Sequence, residues 1–450
     1  MINDTPPNAY DIEKAVLAGM LYLDDDAIIA AMNMITAETF YNPVNSIIFS
    51  TIYKMHLDKI PIDQFTLCQQ LIKDGQLEIV GGEPNIVALF EMSTTSANVE
   101  YHCGILCEKA NLRKLISLAK SVEQKCYASD ANFEELNEIL LNSTFNIGSE
   151  NKKKPYYDMM DVMIKASDDI IARIESDGKL SGISTGYKRL DEMIDGLQGG
   201  DLLILAGLPQ VGKTALALNI ARDIAGRSIP VGFFSMEMPV KRLGTRLISN
   251  ESRKDLSAVT RRNYGREDIK IISNTGSRLS KFPIYIDDSS GLTHVMLYIK
   301  MEQMIKEKEV KVIFVDHLQL MMGTAEFKGN RRLQIEEITR NLKKYAKELD
   351  IPLVVLSHLS RSSEVQNRRP ILSDLRESGM IEGDADIVMF IYNPPVEETI
   401  KSMSKLSKFY KEEEAAHIKE LLIRKNRNGP TGMLYLYWEP SWTQFNSLEY

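Results

Sequence analysis

The sequence predicts an all-α N-terminal domain joined to an α/β domain with a largely parallel central sheet. From residue 10 to about 145, apolar residues recur at spacings of three and four, which is typical of helices. From about Ser181 onward, short apolar runs alternate with helical patterns, which indicates strands covered on both faces. A glycine-rich loop directly follows the first of these strands, as it does in phosphate-binding α/β domains.

Changes in composition divide the chain into three predicted parts. Residues 1–148 form a helical domain, which contains no phosphate-binding or catalytic motif. Residues 149–180 form a linker, where a basic run ends at Pro155 and a helix from about Asp158 to Ser176 carries an apolar stripe. That stripe packs either on its own C-terminal domain or on a neighbouring subunit, and its spacing favours neither. Residues 181–450 form the α/β domain.

Bulk composition is that of an ordinary globular protein, with 44% hydrophobic and 26% charged residues in 450. The sequence has neither a membrane-length apolar run nor a secretion signal, so we expect a cytoplasmic protein without a membrane partner. A net charge of −8 argues against a protein that coats nucleic acid through its overall charge. An acidic protein can still contact nucleic acid through a local group of basic residues. The cysteines are expected to be buried free thiols rather than zinc ligands. They are Cys68, Cys103, Cys107 and Cys126.

Short apolar runs supply the strands of the predicted sheet. A further run near the C-terminus, residues 433–438, is expected to add a strand at the edge of the sheet. The core runs are residues 202–206, 231–235, 283–286, 312–315, 353–356 and 387–391.

The strongest motif is a phosphate-binding loop with the pattern G-x-x-x-x-G-K-[ST], placed between the first strand and a helix. Glycines let the backbone N–H groups point at phosphates, and the helix N-terminus adds a favourable dipole. Lys213 is expected to reach the β- and γ-phosphates of ATP, and Thr214 to ligate Mg²⁺. The alternative, a chance glycine turn, fits the flanking strand and helix poorly. The predicted nucleotide-binding residues are Gly207, Leu208, Pro209, Gln210, Val211, Gly212, Lys213, Thr214 and Ala215.

Three further polar residues follow apolar strands, and therefore should lie at the same edge of the sheet as the loop. Asp316 is a candidate for the Mg²⁺ site. Glu237 is a candidate for the base that activates water, with a first-turn helix acid as the alternative. His358 either senses the γ-phosphate or is an ordinary packing residue.

The phosphate loop and the polar residues at the strand ends make the C-terminal half resemble the RecA-like motor domain of replicative DnaB-type helicases. The N-terminal half resembles the helical collar domain of the same family at residues 13–21, 40–41 and 80–82. The motor segments, in chain order, are Ser184-Thr185-Gly186-Tyr187, the loop at 207–214, Phe234-Ser235-Met236-Glu237-Met238, Val315-Asp316-His317-Leu318-Gln319, Asp374-Leu375-Arg376-Glu377-Ser378-Gly379 and Lys425-Asn426-Arg427-Asn428-Gly429.

The resemblance implies roles for several residues. It assigns Glu237 as the catalytic base and Asp316 as the Mg²⁺-site acid. Lys425 and Arg427 match a pair that reaches the nucleotide of the neighbouring subunit, with Arg427 as the arginine finger. Without the resemblance, a solvated basic turn is the preferred interpretation of that pair.

The resemblance also implies contacts with DNA. Arg376, Glu377 and Gly379 match a loop that lines the family's central channel and holds the DNA backbone. Arg331 falls where a second channel loop is expected. For the segment of Arg376, Glu377 and Gly379 the alternative is an ordinary polar loop, which is the preferred interpretation when the resemblance is set aside.

As a whole, the resemblance implies an ATP-dependent homohexameric helicase that moves 5′ to 3′ on single-stranded DNA and unwinds forked duplex DNA. Primase and a helicase loader are the implied partners. The alternatives are a RecA- or RadA-type recombinase and a nucleotide-gated loader scaffold. His317 stands where the family commonly has Tyr and His358 where it commonly has Gln, and the phosphate loop also departs from the usual pattern. These differences suggest a divergent member, of phage or plasmid origin.

Overall fold

A computed structural model shows two compact units, Met1–Val162 and Met163–Tyr450. We refer to them as the N-terminal and C-terminal units. The described residues are 5–22, 25–92, 98–129, 131–133, 136–137, 139–140, 143–144, 158–175, 180–255, 265–323, 327, 329–359, 368–375, 379–400 and 412–448.

Helices build the N-terminal unit, as the sequence predicts. Their apolar faces meet in one core, in which Leu17, Ile48, Ile52 and Leu67 are fully buried. Helix starts are set by local polar side chains, for example Asp63, whose carboxylate accepts hydrogen bonds from the first turn of the fourth helix. The helices are α1 (Tyr10–Met20), α2 (Asp25–Met34), α3 (Pro43–Leu57), α4 (Gln64–Lys73), α5 (Gly82–Met92) and α6 (Val99–Cys126).

A buried carboxylate ties α1 to the start of α3. Glu13 is 1% exposed. Its carboxylate accepts hydrogen bonds from the backbone N–H of Tyr41 at 2.5 Å and of Asn42 at 3.3 Å, and from Asn45 Nδ2 at 2.8 Å. Burial of a charge is tolerable only with such partners. The helical spacing of the sequence includes Glu13 but does not predict this role.

The cysteines only partly match their prediction. Cys68 and Cys103 are buried, but Cys107 is half-buried and Cys126 is exposed. Cys126 is the last residue of α6, beyond the core that covers the first turns of that helix. The expectation of four buried thiols is therefore wrong for Cys126. Among the described residues, no helix has both the length and the apolarity needed to cross a membrane.

The predicted linker helix is present as α7 (Met159–Glu175). Three apolar side chains of its stripe are exposed, Val162 at 41%, Met163 at 51% and Ile170 at 56%. The division between the two units falls inside this helix, at Val162 and Met163.

The C-terminal unit is built on a nine-stranded sheet with the order β3-β2-β4-β5-β1-β6-β7-β8-β9. The first six strands in this order are parallel, and β7, β8 and β9 are antiparallel. The strands are β1 (Leu202–Gly207), β2 (Val231–Ser235), β3 (Ile284–Asp287), β4 (Val312–Asp316), β5 (Leu353–His358), β6 (Ile387–Tyr392), β7 (Ile418–Asn426), β8 (Gly432–Glu439) and β9 (Gln444–Ser447).

Helices in the C-terminal unit connect and cover these strands. Every residue of β1, β2 and β4 is buried, which explains their unbroken apolar runs. The helices are α8 (Lys188–Ile194), α9 (Lys213–Gly226), α10 (Val240–Ser252), α11 (Arg266–Leu279), α12 (His294–Lys308), α13 (Arg331–Leu349) and α14 (Gly379–Asp384).

One strand prediction needs correction. The run at residues 433–438 is a strand, but β8 lies between β7 and β9 rather than at the edge. The strand outside it, β9, is only four residues long and has a single fully buried side chain, Phe445. So short a strand lacks the apolar alternation that would have predicted it.

Candidate nucleotide site

The phosphate loop connects β1 to α9 in a conformation that only certain residues tolerate. Gly212 has a φ of +109°, and a Cβ there would lie 2.9 Å from Phe445 Cζ on β9. A side chain at position 212 would therefore be strained and would clash with that ring. The backbone N–H of Phe445 donates to Asn219 Oδ1 on α9 at 2.7 Å. The last strand thus braces both the loop and the helix that follows it.

Lys213 folds back over the loop at the start of α9. Its Nζ donates to the carbonyl oxygens of Gly207 at 2.8 Å and Leu208 at 3.0 Å, and lies 3.3 Å from His358 Nδ1. Burial lowers the pKa of Lys213 to about 8, although the nearby carboxylates of Asp316 and Glu237 oppose the shift. An ammonium held in this way has a strong electrostatic preference for a phosphate partner.

Thr214 and Asp316 meet at the carboxyl edge of the sheet. Thr214 Oγ1 donates to Asp316 Oδ2 at 2.8 Å, and Asp316 is 1% exposed. The register of β2 and β4 pairs Asp316 with Ser235, two residues before Glu237. Two hard oxygen donors from separate elements are therefore in contact, as a Mg²⁺ site needs.

Glu237 lies beside two histidines at the same edge. Its side chain is 52% exposed, and its Oε2 lies 3.1 Å from Nδ1 of the buried His317. The rings of His317 and His358 are in edge-to-face contact, with centroids 4.4 Å apart. The structure thus brings Glu237, His358, Lys213 and Asp316 together, as the strand ends predicted.

The sequence analysis assigned no role to two residues at this edge, Arg246 and Gln319. Burial lowers the pKa of Arg246 on α10, although the nearby carboxylates of Asp316 and Glu237 oppose the shift. The amphipathic pattern of α10 is the one signal that could have indicated it. Gln319 joins β4 to β5, because its amide donates to Ser357 Oγ at 2.9 Å and accepts from the His358 N–H at 3.1 Å.

Lys425 and Arg427 lie at the opposite, amino edge of the parallel strands. The Arg427 N–H donates to the carbonyl of Asp386, whose own N–H donates to the carbonyl of Leu202, the first residue of β1. The phosphate loop begins after the last residue of β1, which is about 16 Å away at 3.3 Å per strand residue. Neither side chain is at the nucleotide site of its own chain.

Local contacts hold this basic pair at the amino edge. Arg427 donates to Asp386 Oδ1 at 3.3 Å and to the Gly383 carbonyl at 2.6 Å, and half of its side chain is exposed. Lys425 Nζ donates to the carbonyls of Glu382 and Gly383. Burial and the adjacent guanidinium of Arg427 lower the pKa of Lys425.

The predicted DNA-contacting residues are only partly visible. Arg376 and Glu377 lie outside the described residues, and Gly379 is the first residue of α14. Arg331 begins α13 instead of lying in a loop. Its guanidinium donates to the carbonyls of Gln319 and Met321 and to Gln334 Oε1, so it braces the segment after β4. Its contact with DNA stays a prediction.

Comparison with known proteins identifies the family. Residues 182–447 match the DnaB-like helicase C terminal domain, and residues 5–108 match the DnaB-like helicase N terminal domain. The chain belongs to the DnaB-like helicase family. It is similar to the replicative DNA helicase DnaB of Geobacillus stearothermophilus, with 34% identity over 99% of this chain and 95% of the relative. The replicative DNA helicase DnaC of Bacillus subtilis (strain 168) is 33% identical over 100% of this chain and 97% of the relative.

Solved structures agree with this assignment. A DnaB-like replicative helicase, described with its interactions with primase, matches with a TM-score of 0.70 and 26% identity over 98% of this chain and all of that one. A second solved structure, of an isolated ATPase domain, matches with a TM-score of 0.57 and 31% identity over 65% of this chain and all of that one.

Membership of the DnaB-like helicase family confirms the predicted fold class and function. The protein is a replicative DNA helicase and an ATP-dependent enzyme. Nucleotide use follows from that membership. The family models, the relatives and the solved structures described above give no support to the recombinase or scaffold alternatives.

Proposed function

We propose that each chain hydrolyses Mg²⁺-ATP at a site completed by its neighbour in a homohexameric ring, and that hydrolysis drives movement along single-stranded DNA. The observation that carries the proposal is the separation of the two halves of the catalytic machinery. Lys213, Thr214 and Asp316 converge at the carboxyl edge of the sheet, whereas Lys425 and Arg427 lie at its amino edge.

The residues at the carboxyl edge fit ATP and Mg²⁺. The Thr214 hydroxyl and the Asp316 carboxylate would hold the cation, as an oxygen-only pair suits Mg²⁺. Gly212, whose positive φ is open to glycine, and the backbone N–H groups of the loop would cradle the phosphates. When bound, Mg²⁺ neutralises negative charge on the β- and γ-phosphates.

Three side chains would then act on the nucleotide. Lys213 exchanges its carbonyl acceptors for phosphate oxygens, which restores a full counter-charge to its buried ammonium. Glu237, half exposed, orients the attacking water and accepts its proton. His358 donates a hydrogen bond to the γ-phosphate and reports its presence to β5, of which it is the last residue.

Arg427 of one chain would stabilise the transferring phosphoryl group bound to the next. A guanidinium suits this task because it stays charged and can donate two parallel hydrogen bonds. Lys425 would support it from the same strand end. A head-to-tail contact of this kind generates a ring when its rotation closes.

The remaining assignments extend the same proposal. The three-part organisation is 1–148 as a collar, 149–180 as a linker whose exposed stripe docks on the adjacent subunit, and 181–450 as the motor. Arg376, Glu377 and Gly379 would contact the DNA backbone in the channel, with movement from 5′ to 3′. Because the similar DnaB-like replicative helicase is described with its interactions with primase, we propose primase, together with a loader, as partners in the cytoplasm.

The decisive experiment measures ATP hydrolysis with and without single-stranded DNA, together with unwinding of a forked duplex whose tails are blocked one at a time. We expect DNA to stimulate hydrolysis, and a block on the 5′ tail to stop unwinding. Lys213→Ala should abolish turnover, and Lys281→Ala, at an exposed lysine in the same unit, is the control. Full turnover by a strictly monomeric protein would refute the composite site.

A further inference from the structure

Three side chains with metal-binding atoms converge beside the predicted Mg²⁺ ligands. They are Glu237, His317 and His358, and one ligand atom of each lies within 4.8 Å of the other two. Two imidazoles and one carboxylate are a ligand set that three-residue zinc sites use, with a fourth position left open. The nucleotide chemistry proposed above makes no use of His317.

His317 supplies a second, independent observation. It is 6% exposed, and its Nδ1 is buried with no hydrogen-bond partner among the described residues. That atom faces Glu237 Oε2 at 3.1 Å, outside hydrogen-bonding geometry, and Asp316 Oδ1 at 3.7 Å. Buried polar atoms in folded proteins nearly always have a partner. A cation bound between His317 Nδ1 and the Glu237 carboxylate would give the ring nitrogen a partner and would balance the charge of the carboxylate.

We propose that Glu237, His317 and His358 form a binding site for a divalent transition-metal ion, best matched by Zn²⁺. Mg²⁺ is a poor occupant because it prefers oxygen ligands and octahedral geometry, whereas imidazole suits Zn²⁺. The site is distinct from the oxygen pair of Thr214 and Asp316.

Only small movements are needed to close this site. Ligand atoms at tetrahedral angles and about 2.1 Å from Zn²⁺ lie roughly 3.4 Å apart. Atoms now within 4.8 Å of one another must therefore approach by no more than about 1.4 Å. The half-exposed Glu237 side chain, whose Oε2 already lies 3.1 Å from His317 Nδ1, can adjust by rotation about its own bonds.

Lys213 is the competing cation for His358. Its Nζ lies 3.3 Å from His358 Nδ1, but it also donates to the carbonyls of Gly207 and Leu208. These carbonyls, or the phosphates of a bound nucleotide, give the ammonium other acceptors. The His358 ring can then turn its lone pair to the metal ion.

Bound Zn²⁺ would inhibit hydrolysis, because it withdraws the Glu237 carboxylate from the attacking water. This consequence rests on the proposed function of Glu237. Metal binding itself rests only on the three side chains, and it can be measured without turnover.

Metal binding is tested with Co²⁺ as a spectroscopic substitute, added to the full-length protein in excess Mg²⁺. We expect one equivalent per chain to give visible absorption typical of nitrogen-ligated Co²⁺, and Zn²⁺ to displace it. His358→Gln and His317→Phe should each abolish the signal, with folding of each variant checked by circular dichroism. His56→Gln, at a partly exposed histidine of α3, is the matched control and should retain it. A signal that survives both site variants, or is lost in the control, overturns the site.

Inhibition is tested by titrating Zn²⁺ into Mg²⁺-ATP hydrolysis and normalising each protein to its own zinc-free rate. His358→Gln should require at least about 100-fold more Zn²⁺ than the parent or the His56→Gln control, because loss of a direct ligand weakens metal binding more than loss of an outer-shell partner, which costs about 10–100-fold. Equal sensitivity of parent and variant would overturn the inhibitory role. Because the Co²⁺ titration needs no ATP, failure of the metal site and failure of the proposed hydrolysis are distinguishable.

Discussion

Two carboxylates at the carboxyl edge of the sheet differ in their surroundings. Asp316 is 1% exposed and accepts a hydrogen bond from Thr214, whereas the side chain of Glu237 is 52% exposed. A buried, fixed carboxylate suits a metal ligand. An exposed one can exchange protons with water, so environment supports different roles for two chemically similar groups.

Glu237→Gln should lower the rate of ATP hydrolysis by about 10²–10⁴-fold, since the amide cannot accept the proton of the attacking water. Nucleotide affinity should be nearly unchanged, because Lys213 and the loop remain intact. Single-turnover hydrolysis and binding of a fluorescent ATP analogue measure the two effects. Comparable losses in rate and affinity would argue against a base.

Cysteine alkylation at pH 8 should report the exposure of each thiol. Burial raises the pKa of Cys103 to about 12, so its reactive thiolate is scarce at that pH, whereas Cys126 is exposed. We expect iodoacetamide to modify Cys126 first, as peptide mapping by mass spectrometry would show. Cys126→Ser should remove the fast adduct. Rapid modification of Cys103 in the folded protein would contradict its burial.

The sequence predicted those site residues that follow a recognisable pattern. Lys213 and Thr214 end a glycine loop, and Asp316 ends an apolar run, so topology alone brings them together. Arg246 lies two turns into α10 and has no such pattern, and its position depends on how that helix packs. His317 follows a strand, but only tertiary packing buries it against Glu237.

Among the secondary-structure elements, α1 and α3 are joined by the buried carboxylate of Glu13. Glu13→Ala should destabilise the N-terminal unit by about 3 kcal/mol, because it leaves the Tyr41 and Asn42 N–H groups and the Asn45 amide without their acceptor. Urea denaturation followed by circular dichroism measures this change.

Glu78→Ala, at an exposed residue of the same unit, is the control for Glu13→Ala and should change stability by less than about 0.5 kcal/mol. Equal effects of the two substitutions would mean that the Glu13 hydrogen bonds contribute little net stability. Sequence spacing assigned Glu13 to the helix correctly. It could not predict the bonds, because their partners are 28–32 residues away.

For the molecule as a whole, the opposite positions of Lys213 and Arg427 on the sheet predict complementation between inactive chains. Lys213→Ala and Arg427→Ala should each nearly abolish hydrolysis alone. Co-assembled in equal amounts, they should recover about a quarter of the parental rate, because a random head-to-tail ring pairs an intact Lys213 with an intact neighbouring Arg427 at one interface in four.

The control for complementation is Lys213→Ala co-assembled with a chain carrying both substitutions, which offers no complete interface. Rates are measured at equal protein concentration after purification of the mixed assemblies through two different tags. If the complementing mixture is as inactive as the control, Arg427 does not act across subunits.

The ring of Phe445 beside Gly212 and its backbone hydrogen bond to Asn219 place β9 against the candidate nucleotide site, although 226 residues separate Phe445 from Asn219. A purification tag fused close to Phe445, or protease trimming of β9, would therefore loosen the grip on ATP. Labels for this helicase therefore belong at positions distant from β9.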